Sequence, residues 1–206
     1  MTLGHTGRDP EVRTAARKLA EHYMADPKSV DATLADTVLS LAALDGDAAL
    51  YETYVAKMEA SAEPEERERY LDALTYFTDP ALVPRSLEYA VSGKLRNQDS
   101  PGFIEKILGR RESQSTAWEF VKTNWPRVES ALTIGSAREV VSAVGKFCEA
   151  PARDEAKAFF TLHPVPASER TLRQALENAN NCINLRATQQ QSLAAWLNGQ
   201  AEGAGR

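Results

Sequence analysis

Arg96, Arg110 and Arg111 are the residues whose type and placement could do chemistry, and that chemistry is recognition. A guanidinium offers a planar fork of donors that fits a carboxylate, so an arginine at a helix end can project into a groove and hold an anionic group. The same fork can pair internally, with Asp99 or with helix carbonyls, and the sequence leaves both roles open. Trp118 and Trp125 can be core anchors or stacking platforms, and their helical spacing favours the core. Catalytic groupings are missing. The adjacent carboxylates Glu65-Glu66 and Asp154-Glu155 fall in polar first turns, where the helix dipole accounts for them. None of His5, His22 and His163 is followed by Glu, and no His/Cys/Asp grouping has metal spacing. His163, ahead of Pro164, reads as a helix C-cap. There is no Gly-x-Ser-x-Gly elbow and no glycine-rich phosphate loop. Cys148 and Cys182 have apolar neighbours and read as small core residues, with a disulfide as the alternative.

The stretch from Leu95 to Val128 must position those arginines. Its corner, Arg96-Asn97-Gln98-Asp99, carries four polar side chains able to satisfy the backbone of a buried turn. Ser100 then supplies an N-cap oxygen and Pro101 a pre-bent first residue, which predicts a helix from 101 to Gly109 with Phe103, Ile104, Ile107 and Leu108 inward. In the next helix Trp118, Val121, Trp125 and Val128 follow the 3.6-residue period as one stripe.

The rest of the chain repeats this grammar. Asp9-Pro10, Ser29 or Asp31, Asp47, Pro64, Asp79-Pro80 and Ser136 read as helix starts. The first helix turns Val12, Ala16, Leu19 and Tyr23 inward and Arg13 outward. Gly46 stops the helix before it by taking the left-handed conformation. Val140, Val141, Val144, Phe147 and Cys148 form a later apolar cluster. Ala156, Phe159 and Phe160 lie on a helix near 152–163, which Pro164 and Pro166 break. Leu172, Leu176, Ala179 and Ile183 share one face of the final segment, where Asn180, Asn181 and Asn184 mark a kink. Residues 1–8 read as a flexible leader, 9–198 as a single domain and 199–206 as a frayed tail. The result is an all-α chain of about ten or eleven antiparallel helices, paired about every 35 residues, the length of an α-solenoid unit, with a plain orthogonal bundle as the alternative.

At 206 residues, with 43% apolar and 26% charged side chains, the chain has enough core to fold without a metal or disulfide. A net charge of −5 with interspersed signs gives no electrostatic reason to bind nucleic acid or an anionic membrane. No apolar run reaches the ~18 residues of a membrane span. The first residues lack a signal-peptide layout. The compartment stays open.

Gln98-Asp99, Gly109-Arg110, Ala117-Trp118 with Phe120, and Asn124-Trp125 resemble the signature of the C-terminal helical domain of aminopeptidase N-like zinc metallopeptidases. The resemblance runs from about Asp9 to Leu197, taking in Thr75 to Pro80 and the closing Leu193 to Leu197. It implies a HEAT-like superhelix that covers a catalytic zinc domain of the same polypeptide and encloses a chamber for the peptide substrate. Arg96, Arg110 and Arg111 are then candidates to face the substrate's C-terminal part. The family's His-Glu-x-x-His, which binds zinc, and its Gly-x-Met-Glu-Asn do not occur in this sequence. The expectation is therefore a domain with no activity, metal or cofactor of its own. A free-standing helical-repeat scaffold that binds a protein or peptide on its concave face is the rival.

Overall fold

The computed structural model describes residues 1–132, 137–165 and 167–204, with side chains to Gln200. All regular elements among them are helical: α1 Thr2–His5, α2 Pro10–Ala25, α3 Ala32–Leu44, α4 Ala48–Ala60, α5 Pro64–Leu74, α6 Val83–Val91, α7 Ser100–Leu108, α8 Gln114–Thr123, α9 Trp125–Ala131, α10 Ala137–Ala143, α11 Ala150–Leu162 and α12 Glu169–Ala204. Two compact units result, Met1–Ala131 and Leu132–Arg206, where the sequence reading placed one domain over 9–198.

In the first unit α2 packs on α3, α4 on α5 and α6 on α7, so consecutive helices form hairpins. Caps predicted from aspartates set their starts: Asp9 accepts from the amides of Glu11 and Val12, Asp31 from Thr33 and Asp47 from Leu50. A ladder of contacts then joins each helix to the equivalent helix one hairpin later, at nearly constant sequence offset. Arg69 reaches Asp36 and Arg85 reaches Glu52 at separations of 33 residues, Lys106 reaches Asp72 at 34, and Arg110 reaches Thr75 at 35. Both members of each pair advance together, so equivalent helices run parallel, as stacked repeats must. Inside, the buried rings of Tyr23, Tyr70, Tyr54 and Phe77 touch in series, with centroids 5.4–6.1 Å apart. Beside them the predicted Phe103–Leu108 face and the Trp118–Val128 stripe are buried.

In the second unit α12 packs on α10, on α11 and on the 3-10 turn Val144–Lys146. Val140, Val141, Val144, Phe147, Ala156, Phe160, Ala175 and Ala179 are among its buried apolar residues. Cys148 and Cys182 form a disulfide, so the pair reads as a covalent tie rather than as two small core residues.

Several local expectations change, each for a physical reason. Residues 2–5, expected to be a loose leader, form a helical turn with Gly4 buried, because Arg13 turns inward, donates to the Gly4 carbonyl at 2.7 Å and forks onto Asp45. Gly46 is not left-handed. It is glycine because a Cβ there would lie 2.5 Å from the ring of Phe77. After Asp79 a turn intervenes and the helix begins at Val83. Ser100 does not cap α7: its hydroxyl donates to the Ala90 carbonyl, and Asn97 and Gln98 are exposed. The tryptophan helix is two helices, split at Asn124 because Pro126 has no amide to continue the ladder, while Asn124 Nδ2 donates to the Phe120 carbonyl. The asparagines of α12 cause no break, and the helix passes through Gly199 to Ala204. Ser136 and Pro166 lie outside the described residues.

Candidate functional site

Arg110 and Arg111 sit in the tight corner between α7 and α8. Carbonyls at the end of α7 would be orphans there, and the corner's own side chains cap them: Ser113 Oγ donates to the Ile107 carbonyl at 2.7 Å and Gln114 Nε2 to that of Leu108 at 3.2 Å. This clamp points the two arginines apart. Arg110 folds back on the segment after α5, donating to the Thr75 carbonyl at 2.9 Å and to Thr75 Oγ1 at 3.1 Å, with its guanidinium 3.2 Å above the centre of the Tyr76 ring. Its fork is consumed internally. Arg111 is exposed, and among the described residues it makes no hydrogen bond or ion pair. Next to it Glu112 lies 3.9 Å from His5 Nε2 and 3.6 Å from Arg8, while His5 meets Tyr76 edge-on.

Arg96 is elsewhere, at the start of α7, roughly 13 Å along that helix from the Arg110 corner. Its Nε donates to Asp99 at 2.6 Å, and both line a recess of about 240 Å³ with Arg67, Glu68, Leu71 and Leu95. The three arginines therefore do not converge on one ligand. Of the other signature residues, Gln98 is in an exposed turn and Trp118 and Trp125 are core.

A larger feature was not anticipated. Tyr51 and Val55 from α4, Pro84, Arg85, Glu88 and Tyr89 from α6, and Phe120 from α8 line an open cleft of about 570 Å³. Its floor is apolar and aromatic, and its rim is charged but self-neutralised. Arg127 forks onto Glu88 at 2.6 and 2.8 Å and holds that carboxyl below the ordinary range, while the hydrogen bond from Arg85 to Glu52 holds the Arg85 guanidinium charged. Lys94 and the Tyr89 hydroxyl share Glu59 at 3.3 Å, and burial first, then that carboxylate, pushes the Tyr89 phenol up. Such a surface can bind, since groups held in one charge state at neutral pH make poor proton carriers. The signal that could have found it is the Glu52 and Arg85 pairing at the repeat offset.

The resemblance brings zinc into question. Among the described residues no group of three or more His, Cys, Asp or Glu could hold a metal ion. Among the described residues, too, no helix is long and apolar enough to cross a membrane.

Residues 1–181 match the model of the ERAP1-like C-terminal domain. The chain is 32% identical over 129 residues to aminopeptidase M1-C of Oryza sativa subsp. japonica, an alignment covering 62% of this chain and 14% of that protein. It is 26% identical over 174 residues to aminopeptidase 2, mitochondrial, of Saccharomyces cerevisiae, covering 82% and 18%. With endoplasmic reticulum aminopeptidase 1 of Rattus norvegicus the identity is 22% over 191 residues, covering 86% and 20%. The chain thus spans 14–20% of the length of these relatives. A ladder of stacked hairpins and a match over residues 1–181 lead to one conclusion: the chain belongs to the ERAP1-like C-terminal domain family.

Proposed function

We propose that this chain is the non-catalytic C-terminal domain of a zinc aminopeptidase, which covers the active site of a catalytic domain in the same polypeptide and shapes the chamber for the peptide. The observation that carries the reading is the family match over 1–181 in a chain that spans less than a quarter of its aminopeptidase relatives. Exposed apolar side chains on the first helices, Met1, Leu3 and Leu34, support it, since a solenoid that ends in water presents a polar cap. Arg111 and Arg96, both exposed, are the arginines available to a peptide carboxylate, whereas Arg110 is spent on Thr75 and Tyr76. The aromatic floor of the α4/α6/α8 cleft favours a second reading, a free-standing scaffold that binds a peptide there.

The test begins with the reading frame upstream of Met1. It should encode His-Glu-x-x-His, and its product should need this chain for normal peptide-length dependence with zinc present. The chain alone should not hydrolyse aminoacyl-naphthylamides. Turnover by the purified chain, or identical length profiles with and without it, overturns the reading.

A further inference from the structure

The second half of α12 is built as if it were to be covered. Tertiary contact along this helix ends near Arg186, which donates to the Cys148 carbonyl at 3.1 Å and pairs with Glu149, four residues past the Cys182 disulfide. From 187 to 200 every residue is exposed, and the hydrogen bonds of Thr188 and Ser192 stay within the helix. A helix of this length without tertiary support is marginal in water. Yet Leu185, Leu193, Trp196 and Leu197 lie along one side of it, 62, 54, 60 and 51% exposed.

Its composition says what covers it. Residues 187–201 carry no charged side chain, the longest such run in a sequence that is 26% charged. A solvated helix is expected to carry charge on its wet face, whereas depletion of Lys, Glu and Asp around an aromatic anchor marks the core of a protein interface. The depletion extends round the whole helix, so the matching surface is a groove rather than a flat face. A second copy of α12 fits less well. Four side chains offering roughly 100 Å² apiece would bury under ~1,000 Å² in a symmetric pair, below what a stable interface needs. Self-pairing would also leave the uncharged outer faces wet. The relatives, by contrast, extend far beyond the part this chain matches.

We infer that residues 187–200 are a docking helix that seats Leu193, Trp196 and Leu197 in an uncharged apolar groove of the catalytic part of the same polypeptide. This rests on the reading proposed above and adds the surface through which the domain is held.

The experiment mixes the full chain with the separately expressed upstream polypeptide. It follows binding by calorimetry, the amides of 187–200 by hydrogen exchange, and the chain alone by sedimentation. The double variant Leu193→Asp/Trp196→Asp touches nothing else in the described chain, so its circular dichroism should match that of the wild type. The expected result is a hundredfold or greater loss of affinity in this variant, near-normal binding of Trp196→Phe, and protection of the helix amides only in the complex. If wild type and double variant bind alike and those amides stay unprotected, the docking helix is refuted while the C-terminal-domain reading stands. Should the wild-type chain not bind at all, the parent reading itself falls and takes this one with it. A dimer of the chain alone that the double variant dissolves would make a second copy the occupant and overturn the proposal.

Discussion

Replacing Arg110 with alanine should cost the first unit far more stability than replacing its neighbour Arg111, although sequence offers no reason to separate them. Arg110 gives up a charged-donor hydrogen bond to the buried Thr75 carbonyl, a second to the Thr75 hydroxyl, and a stack on Tyr76. Hydrogen bonds from charged groups are worth about 1.5–3 kcal/mol when buried and a cation–π contact about 0.5–2. Because the guanidinium is only half-buried, the sum is discounted to about 2–3 kcal/mol. For a unit of this size that is a drop in Tm of roughly 6–12 °C. Arg111→Ala should stay within about 0.5 kcal/mol. Arg110→Lys should recover less than half of the loss, since an ammonium cannot reproduce the fork and the planar stack together. Urea unfolding followed by the fluorescence of the buried Trp118 and Trp125 reports on this unit, and circular dichroism reports on both units. If Arg110→Ala and Arg111→Ala shift the midpoint equally, the inward fold of Arg110 is wrong and its fork is free for a ligand.

Two tyrosines of the aromatic series should answer differently to loss of a hydroxyl. Tyr54→Phe removes a hydrogen bond to the Leu39 carbonyl at 3.0 Å and should cost about 1 kcal/mol, whereas Tyr70→Phe removes a buried hydroxyl with no partner among the described residues and should be neutral or stabilising. Reversed signs in chemical unfolding would contradict this. Burial raises both phenols well above their ordinary pKa of 10.0, chiefly by desolvation. Above pH ~10 the unfolded chain has released protons that the folded chain still holds, so stability should fall with rising pH from there by up to about 1.4 kcal/mol per pH unit for each phenol. A Tyr54→Phe/Tyr70→Phe chain should lose less over that window, and identical slopes would refute the assignment. Finally, opening the Cys148–Cys182 disulfide, which closes a separation of 34 residues, should destabilise the second unit by about 3–4 kcal/mol and leave the first unchanged. Cys182→Ser with and without reductant, followed by calorimetry, checks it, and an unmoved second transition would count against the tie.

Much of the fold was legible because local chemistry specifies it. Asp9 and Asp47 cap the helices they were expected to cap, Asp31 is the one of the two candidates Ser29 and Asp31 that caps α3, and the Trp118–Val128 stripe is buried across its break, because side-chain oxygens at N-caps and a 3.6-residue period act within a few residues. The candidate site was less legible. Arg96, Arg110 and Arg111 lie in the connections that flank α7, and Arg96 pairs locally with Asp99, but whether Arg110 turns in or out depends on a partner 35 residues away. Thr75 and Tyr76 receive Arg110, and no local signal marks them as acceptors. The cleft under Tyr51 and Phe120 needs three successive hairpins in register before it exists.

By itself, then, the sequence determined an all-α chain with starts set by aspartate and proline and a repeat of about 35 residues. Tertiary structure alone decided which glycine faced a ring, as Gly46 faces Phe77, and which arginine was spent, as Arg110 is. It alone joined Cys148 to Cys182, and it left the far half of α12 bare. The division follows from range: caps, prolines and periodicity act between neighbours in the chain, whereas packing, pairing and exposure are properties of neighbours in space.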